Sequence, residues 1–344
     1  VRRLASRRER VGVSVPRAAF ADLADRALRR SGPGRGQPDR PLSLPGPAGS
    51  RQVGAAPLDP SEVPVGTLVR LGVGLLADLV IDAGPLPAPP TARRRVRDVL
   101  GSRAQVHLAG APVLVDTVRA ALATAGIHEH GRSPEVLILA PPLDEHLAQV
   151  WSARVQHGAP VRWATFAGRW ARKDALPPSA DLPGIAALWA ERVGAARVHV
   201  LVDPAIHDVA GVLGLRQVPA AGTTGDVPDL SAEALDVLRR LNRVLNVRAA
   251  TDVRDGLLRR ARLLLPEREG RPLALPEPRL EWAQRRAVRV REQIRAGGYA
   301  VHGDLAALTP RHRGRAAPRR PEVLTLVLEA CLRAASAEDQ GAGG

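Results

Sequence analysis

The sequence predicts an α/β fold: a three-layer parallel sheet with a helical N-terminal module and a helical C-terminal part. Three observations predict it. Short, nearly continuous apolar runs occur at 105–108, 135–140 (Glu135-Val136-Leu137-Ile138-Leu139-Ala140) and 197–202 (Arg197-Val198-His199-Val200-Leu201-Val202). Runs of this kind suit parallel strands buried on both faces. Helical stretches at 113–125, 143–157, 161–172 and 181–193 separate them, and strand–helix alternation is the mark of a layered α/β domain. Both ends of the chain, by contrast, show helical spacing alone.

The elements follow in order. Residues 1–30 form a basic N-terminal segment whose helix, 17–30, places Phe20, Leu23, Ala24, Ala27 and Leu28 on one face. Residues 31–58 read as a flexible linker: 13 of the 30 residues in 31–60 are Gly or Pro, too few apolar groups to offset ordering entropy. A helical module spans 59–104. Asp59-Pro60-Ser61-Glu62 has the composition of a helix start, and Leu68, Leu71, Leu75, Leu76, Leu79 and Val80 share a face. Gly84-Pro85 ends that helix, and a second is expected at about 91–100. Gly72 and Gly74 are read as close helix packing, because no strand precedes them to make a dinucleotide fingerprint.

The α/β domain is drawn over 105–310. Its last third is helical, with Ser231 capping a helix that carries Leu235, Leu238, Leu241 and Leu245. A helix over 252–265 follows. Another opens at Pro278 and ends at Gly297-Gly298. Residues 311–344 comprise a basic connector with five arginines in 311–320, a helix at about 321–336 and a disordered tail from Ser336.

Composition excludes several classes. The single cysteine, Cys331, rules out an intramolecular disulfide and a multi-cysteine zinc site. No apolar run reaches the roughly 18 residues that a membrane-spanning helix needs. The arginine-rich start lacks the apolar core of a secretory signal, so the expected location is cytoplasmic. Net charge is +15, and 49 of the 50 basic residues are arginine, Lys173 being the exception. The arginine excess reads as codon bias of a GC-rich genome. The charge excess lies mostly in residues 1–105, with 18 basic against 9 acidic groups, as a basic arm would give.

Several places could carry chemistry. Gly110-Ala111-Pro112 joins a strand to a helix and is read as a plain strand–helix turn, with anion binding by free N–H groups as the other role; Asp116, which would repel a phosphate, and Thr117 follow on that helix. Asp144 and Glu145 open the helix after 135–140, where they complement the helix dipole or form a paired-carboxylate site. His128-Glu129-His130 is read as an exposed loop rather than a metal site. His199 is read as a satisfied, partly buried histidine, and Asp203 as a helix cap. Trp151, Trp163, Trp170 and Trp189 are read as core anchors, with a stacking platform as the other role. Two phenylalanines and one tyrosine give little support to single-strand stacking.

Several segments resemble one family. Trp282 to Arg286, and Gly297-Gly298-Tyr299-Ala300-Val301-His302-Gly303-Asp304-Leu305, are similar to the closing helix and turn of the P-loop sulfotransferase-like proteins of GC-rich bacteria. Leu235 to Asn242 and Val136 to Trp151 resemble other segments of that family, as do Phe166 and Leu182 to Val202. The resemblance covers about 135–310. It implies a P-loop/sulfotransferase-like fold and a 5′-phosphosulfate loop at Gly110, Ala111, Pro112 and Thr117 that would bind 3′-phosphoadenosine 5′-phosphosulfate. The family's lysine, glycine and one threonine fall on Val113, Val115 and Asp116 here, and its 3′-phosphate arginine on Pro141.

The leading expectation is therefore a divergent, non-catalytic sulfotransferase-like protein that binds a partner or a polyanionic or glycan ligand. The alternatives are an active carbohydrate sulfotransferase using that cofactor, and a nucleic-acid or polyanion binder working through residues 1–51 and 311–320.

Overall fold

The computed structural model describes residues 17–31, 42–44, 51–53, 63–87, 106–125, 127, 134–214, 230–266, 273–311 and 313–341. In chain order these form α1 (Arg17–Ser31), β1 (Leu42–Leu44), β2 (Arg51–Val53), α2 (Val65–Asp82), β3 (Val106–Gly110), α3 (Pro112–Thr124), β4 (Glu135–Ala140), α4 (Leu143–Gln156) and α5 (Trp163–Arg172). Then come α6 (Leu182–Val193), β5 (Val198–Val202), α7 (Ile206–Val212), α8 (Ala232–Arg248), α9 (Thr251–Leu263), α10 (Leu280–Ala296), β6 (Ala300–His302) and α11 (Arg320–Gly341). Among them no helix is long and apolar enough to cross a membrane.

The chain divides into two compact units. One is Pro87–Leu235 with Pro266–Pro318; the other is Val1–Leu86, Asp236–Leu265 and Arg319–Gly344. The first holds a four-stranded, all-parallel sheet in the order β3-β4-β5-β6. Val106, Leu108, Leu137, Leu139 and Leu201 point to one face, where Val115, Val118 and Leu122 of α3 and Val209 of α7 cover them. Side chains alternate across a strand, so His107 points to the other face, and there its ring meets Trp189 of α6 at 4.2 Å. Helices thus lie on both faces of an α/β sheet. Val136 to Ala140 and Val198 to Leu201 are buried apart from His199, which is why both runs read as apolar in the sequence.

The fourth strand is a correction. Tyr299 to Leu305 reads as a turn, yet Ala300–His302 pairs in parallel with His199–Leu201. Three half-buried residues carry too little hydrophobic pattern to announce a strand. Gly303 follows at φ +95°, where an added Cβ would lie 2.9 Å from the Val202 carbonyl. Asp304 then caps a short 3₁₀ turn by accepting from Ala306 N at 2.8 Å.

In the other unit α2 is buried nearly all round: Val69, Val73, Leu75, Leu76, Ala77, Leu79 and Val80 are each at most 3% exposed. Its Gly72 lets α11 come close. A Cβ there would lie 2.6 Å from Val327 Cγ1. Cys331 is fully buried, its Sγ 3.7 Å from the Gly72 carbonyl, and burial pushes the thiol well above its ordinary range. Arg248 pairs with Asp78, Arg260 Nε donates to Gly84 O at 2.6 Å, and Arg333 donates to Leu264 O at 2.9 Å. Arginine here satisfies helix-end carbonyls as much as it carries charge.

Other boundaries shift. The expected α/β domain ran unbroken over 105–310, but residues 236–265 group with the helical unit, the division falling inside α8. The stretch read as linker contains the antiparallel pair Leu42–Leu44 and Arg51–Val53. The expected disordered tail is helical to Gly341, and Ser336 is buried with its hydroxyl on Leu332 O at 3.0 Å. Ser231 does cap α8, accepting from Ala234 N at 3.2 Å. The expected helix start at Asp59–Glu62, the helix at 91–100 and the loop His128–His130 lie outside the described residues.

These contacts set a test at Gly72. Ala normally gains up to about 1 kcal/mol over Gly inside a helix. Gly72→Ala instead lowers stability by roughly 1–3 kcal/mol, since buried, β-branched Val327 must move. Urea unfolding measures it. Gly211→Ala, with nothing within 4 Å of the new Cβ, is the control and is neutral or slightly stabilising.

Candidate functional site at the carboxyl ends of the strands

Ligands of parallel sheets bind beyond the carboxyl ends of the strands. The first such place is the β3–α3 junction. Gly110 sits at φ +105°, and a Cβ there would lie 2.3 Å from Leu139 O and 2.9 Å from Leu139 N. The glycine is required by the backbone of β4, without reference to any ligand. Ala111 is fully buried and its N–H donates to Leu139 O at 3.0 Å. Pro112 is the first helical residue and has no N–H to offer. Val113 N and Leu114 N donate to Gln149 Oε1, at 3.1 and 3.4 Å. Thr117 turns its hydroxyl back onto Val113 O at 2.8 Å, and Asp116 pairs with Arg119. Gly110, Ala111, Pro112 and Thr117 are thus gathered at one helix start. The donors that an anion would use, however, are already taken by Gln149 of α4. Among the described strands the order never reverses, so this loop also lies at a sheet edge rather than at a switch point.

The central strands end in a second cluster. Asp203, one residue past β5, has φ +50°, a conformation that costs a non-glycine residue about 1 kcal/mol or more. Its N–H donates to Ala140 O at 2.8 Å, tying the ends of β4 and β5 together. Its carboxylate pairs with the Arg311 guanidinium. The backbone N–H of Arg311 donates to Asp144 Oδ2 at 3.1 Å, and Asp144 is 2% exposed. Glu145 lies beside them. Burial, the Asp144 charge and the Asp203 charge raise its pKa, while Arg311 and Arg313 oppose the rise. The cluster can hold a proton on Glu145 at a higher pH than an ordinary carboxylate can. No three His, Cys, Asp or Glu side chains converge to hold a metal ion among the described residues.

Sequence reasoning singled out Asp144 and Glu145 as a pair and Asp203 by itself. It missed Arg311, which bonds to Asp203 and Asp144, because that residue sits in a run read as a basic connector and polyanion-binding segment. Asp203 does not cap α7, as expected of it. That role falls to Asp208, whose carboxylate accepts from Ala205 N at 2.7 Å.

Two histidine sites lie nearby. His146 of α4 is fully buried and its Nε2 donates to Ser179 O at 3.0 Å. Burial brings its pKa down to about 4, against the pull of the Ser179 and Gly110 carbonyls. His199 is half-buried, as expected, between Glu135 Oε2 and His302 Nε2, each at 3.1 Å. Trp151 and Trp163 are core anchors, their indole N–H groups donating to Val161 O at 2.9 Å and Ala274 O at 2.8 Å.

His146 fixes a pH dependence. Its folded pKa is depressed, so the unfolded chain takes up the proton first as pH falls through about 6.5. Its contribution is fully present above that pH and is lost progressively down to about pH 4, amounting to about 3 kcal/mol. Unfolding free energies from pH 7 to pH 4 measure the slope, and His146→Gln flattens it. A second expectation concerns the junction. Gln149→Leu strands two helix-start amides and lowers stability by roughly 1 kcal/mol, read in the same titrations.

Compared with known proteins, the chain matches no family model, no curated protein and no solved structure.

Proposed function

We propose that this protein is a divergent, non-catalytic member of the P-loop sulfotransferase-like group that acts by binding a polyanionic ligand, such as a charged glycan. The observation that carries this reading is the occupied helix start. Sulfuryl transfer needs donors aimed at the bridging and sulfuryl oxygens as charge develops there. Val113 and Leu114 give their N–H groups to Gln149, and Val113 stands where the resembled family has its lysine. The net charge of +15 supports an anionic ligand. A cytoplasmic location belongs to the same reading and is supported by the single, buried cysteine.

Thermal unfolding tests the reading. Millimolar adenosine 3′,5′-bisphosphate leaves the midpoint unchanged, whereas dextran sulfate raises it and added salt removes the rise. A nucleotide bound at a hundredfold its dissociation constant would add about 2.7 kcal/mol and move the midpoint by several degrees. Such a shift would overturn the non-catalytic reading in favour of an active carbohydrate sulfotransferase.

A further inference from the structure

Two guanidinium groups meet over a missing side chain. Gly168 lies in the middle of α5 and is buried. A Cβ placed on it would have Arg172 Nη1 at 3.6 Å, Arg279 Nη2 at 3.7 Å and Arg279 Nε at 3.8 Å. The two side chains come from places 107 residues apart, one turn along α5 and the 3₁₀ turn that precedes α10. Neither guanidinium has a hydrogen bond or an ion pair among the described residues. Both groups thus lie within 4 Å of one point, and like charges that share a site repel unless something negative lies between them.

The surroundings extend the positive charge. Arg169 and Lys173 stand 5.8 and 5.7 Å from the Trp170 ring centroid. The indole is therefore engaged by cations. Two turns beyond Arg279, on the same side of α10 by helical spacing, Arg286 has a buried Nε with no hydrogen-bond partner among the described residues. Arg289 is 2.6 Å from Asp174, and that bond, with Arg286 and Arg285 behind it, holds the Asp174 carboxyl below its usual range. Asp174, two residues after Arg172, is thus committed to Arg289, and Glu281, two after Arg279, to Arg285. Two hydrogen bonds brace the approach: the Trp163 indole N–H donates to Ala274 O, and Ala274 N donates to Arg315 O at 2.9 Å.

We propose that Arg172 and Arg279 form a clamp for one tetrahedral oxyanion, the chemistry shared by sulfate and phosphate groups, with Arg169, Lys173 and Arg286 attracting the rest of a polyanionic chain. Planar guanidinium forks fit such oxygens in pairs of hydrogen bonds, which a lysine ammonium cannot do. The clamp deepens the polyanion-binding reading and rests on it. It also differs from the alternative drawn from the sequence that placed nucleic-acid or polyanion binding at residues 1–51 and 311–320.

The test uses the full chain. Inorganic sulfate and inorganic phosphate are titrated separately by calorimetry against chloride at equal ionic strength, and dextran sulfate is titrated over a series of salt concentrations. Both small ions bind the wild type if the clamp reads only the tetrahedral oxyanion; the tighter of the two names the source. Arg172→Ala/Arg279→Ala abolishes their binding, weakens dextran sulfate about tenfold or more, and lowers the salt slope by about 1–2. Arg172→Lys/Arg279→Lys keeps the charge and recovers part of the loss. Arg192→Ala/Arg295→Ala removes equal charge elsewhere and changes little; circular dichroism checks that every variant is folded. If the wild type binds dextran sulfate and Arg172→Ala/Arg279→Ala binds it as tightly, the clamp is wrong and the polyanion reading stands. If the wild type binds neither the ions nor dextran sulfate, both fail.

Discussion

One side-chain oxygen governs what the α/β unit can do. Gln149 Oε1 receives the amides of Val113 and Leu114, the donors that the start of α3 would otherwise present. A helix start of this kind is the usual place for a phosphate in a parallel sheet, through its free N–H groups and its dipole. Here the neutral amide of α4 takes that place, so α3 and α4 are pinned to one another. Gly110 completes the closure from below, since its backbone presses on Leu139 with no room for a Cβ. The hydrogen bonds of this strand–helix junction are spent on the fold.

With that loop closed, the remaining polar chemistry of the unit lies elsewhere. The ends of β4 and β5 carry Asp144, Glu145 and Asp203, but Arg311 binds two of the three and offsets their charge. The strained backbone of Asp203 is held by its bond to Ala140 O and by that ion pair. On α5 and at the head of α10, Arg172 and Arg279 carry guanidinium groups with no hydrogen bond or ion pair among the described residues. The helical unit shows a different use of the same residue type. There Arg259 and Arg260 reach the carbonyls of Leu86 and Gly84, and Arg239 and Arg240 grip the mostly buried Asp236. A large arginine count is thus divided between bracing carbonyls and offering charge, and the net charge alone does not tell which does which.

The three long strands and most of the helices were legible because each is announced by its own residues. The run Glu135 to Ala140 reads as a buried strand and is one. Leu238, Leu241 and Leu245 read as one buried face, and all three are fully buried. Close packing at Gly72 was legible too, though not the identity of Val327 as the neighbour. The rest depends on contacts between distant residues. Gln149 is an ordinary polar residue in mid-helix until the fold brings it against Val113, 36 residues away. Arg172 and Arg279 give no local sign that they meet. β6 has three half-buried residues and no periodicity to betray it. The grouping of 236–265 with α2 and α11 depends on packing between segments far apart in sequence.

The most direct test of the closed junction is to follow the backbone amide resonances of Val113 and Leu114 by nuclear magnetic resonance while adenosine 3′,5′-bisphosphate is added to millimolar concentration. The closed junction predicts that both resonances stay in place in the wild type and move in ligand-free Gln149→Ala, where the side-chain oxygen is gone. Saturable movement of both amides in the wild type would contradict it, because the nucleotide would then have displaced Gln149 and claimed the helix start.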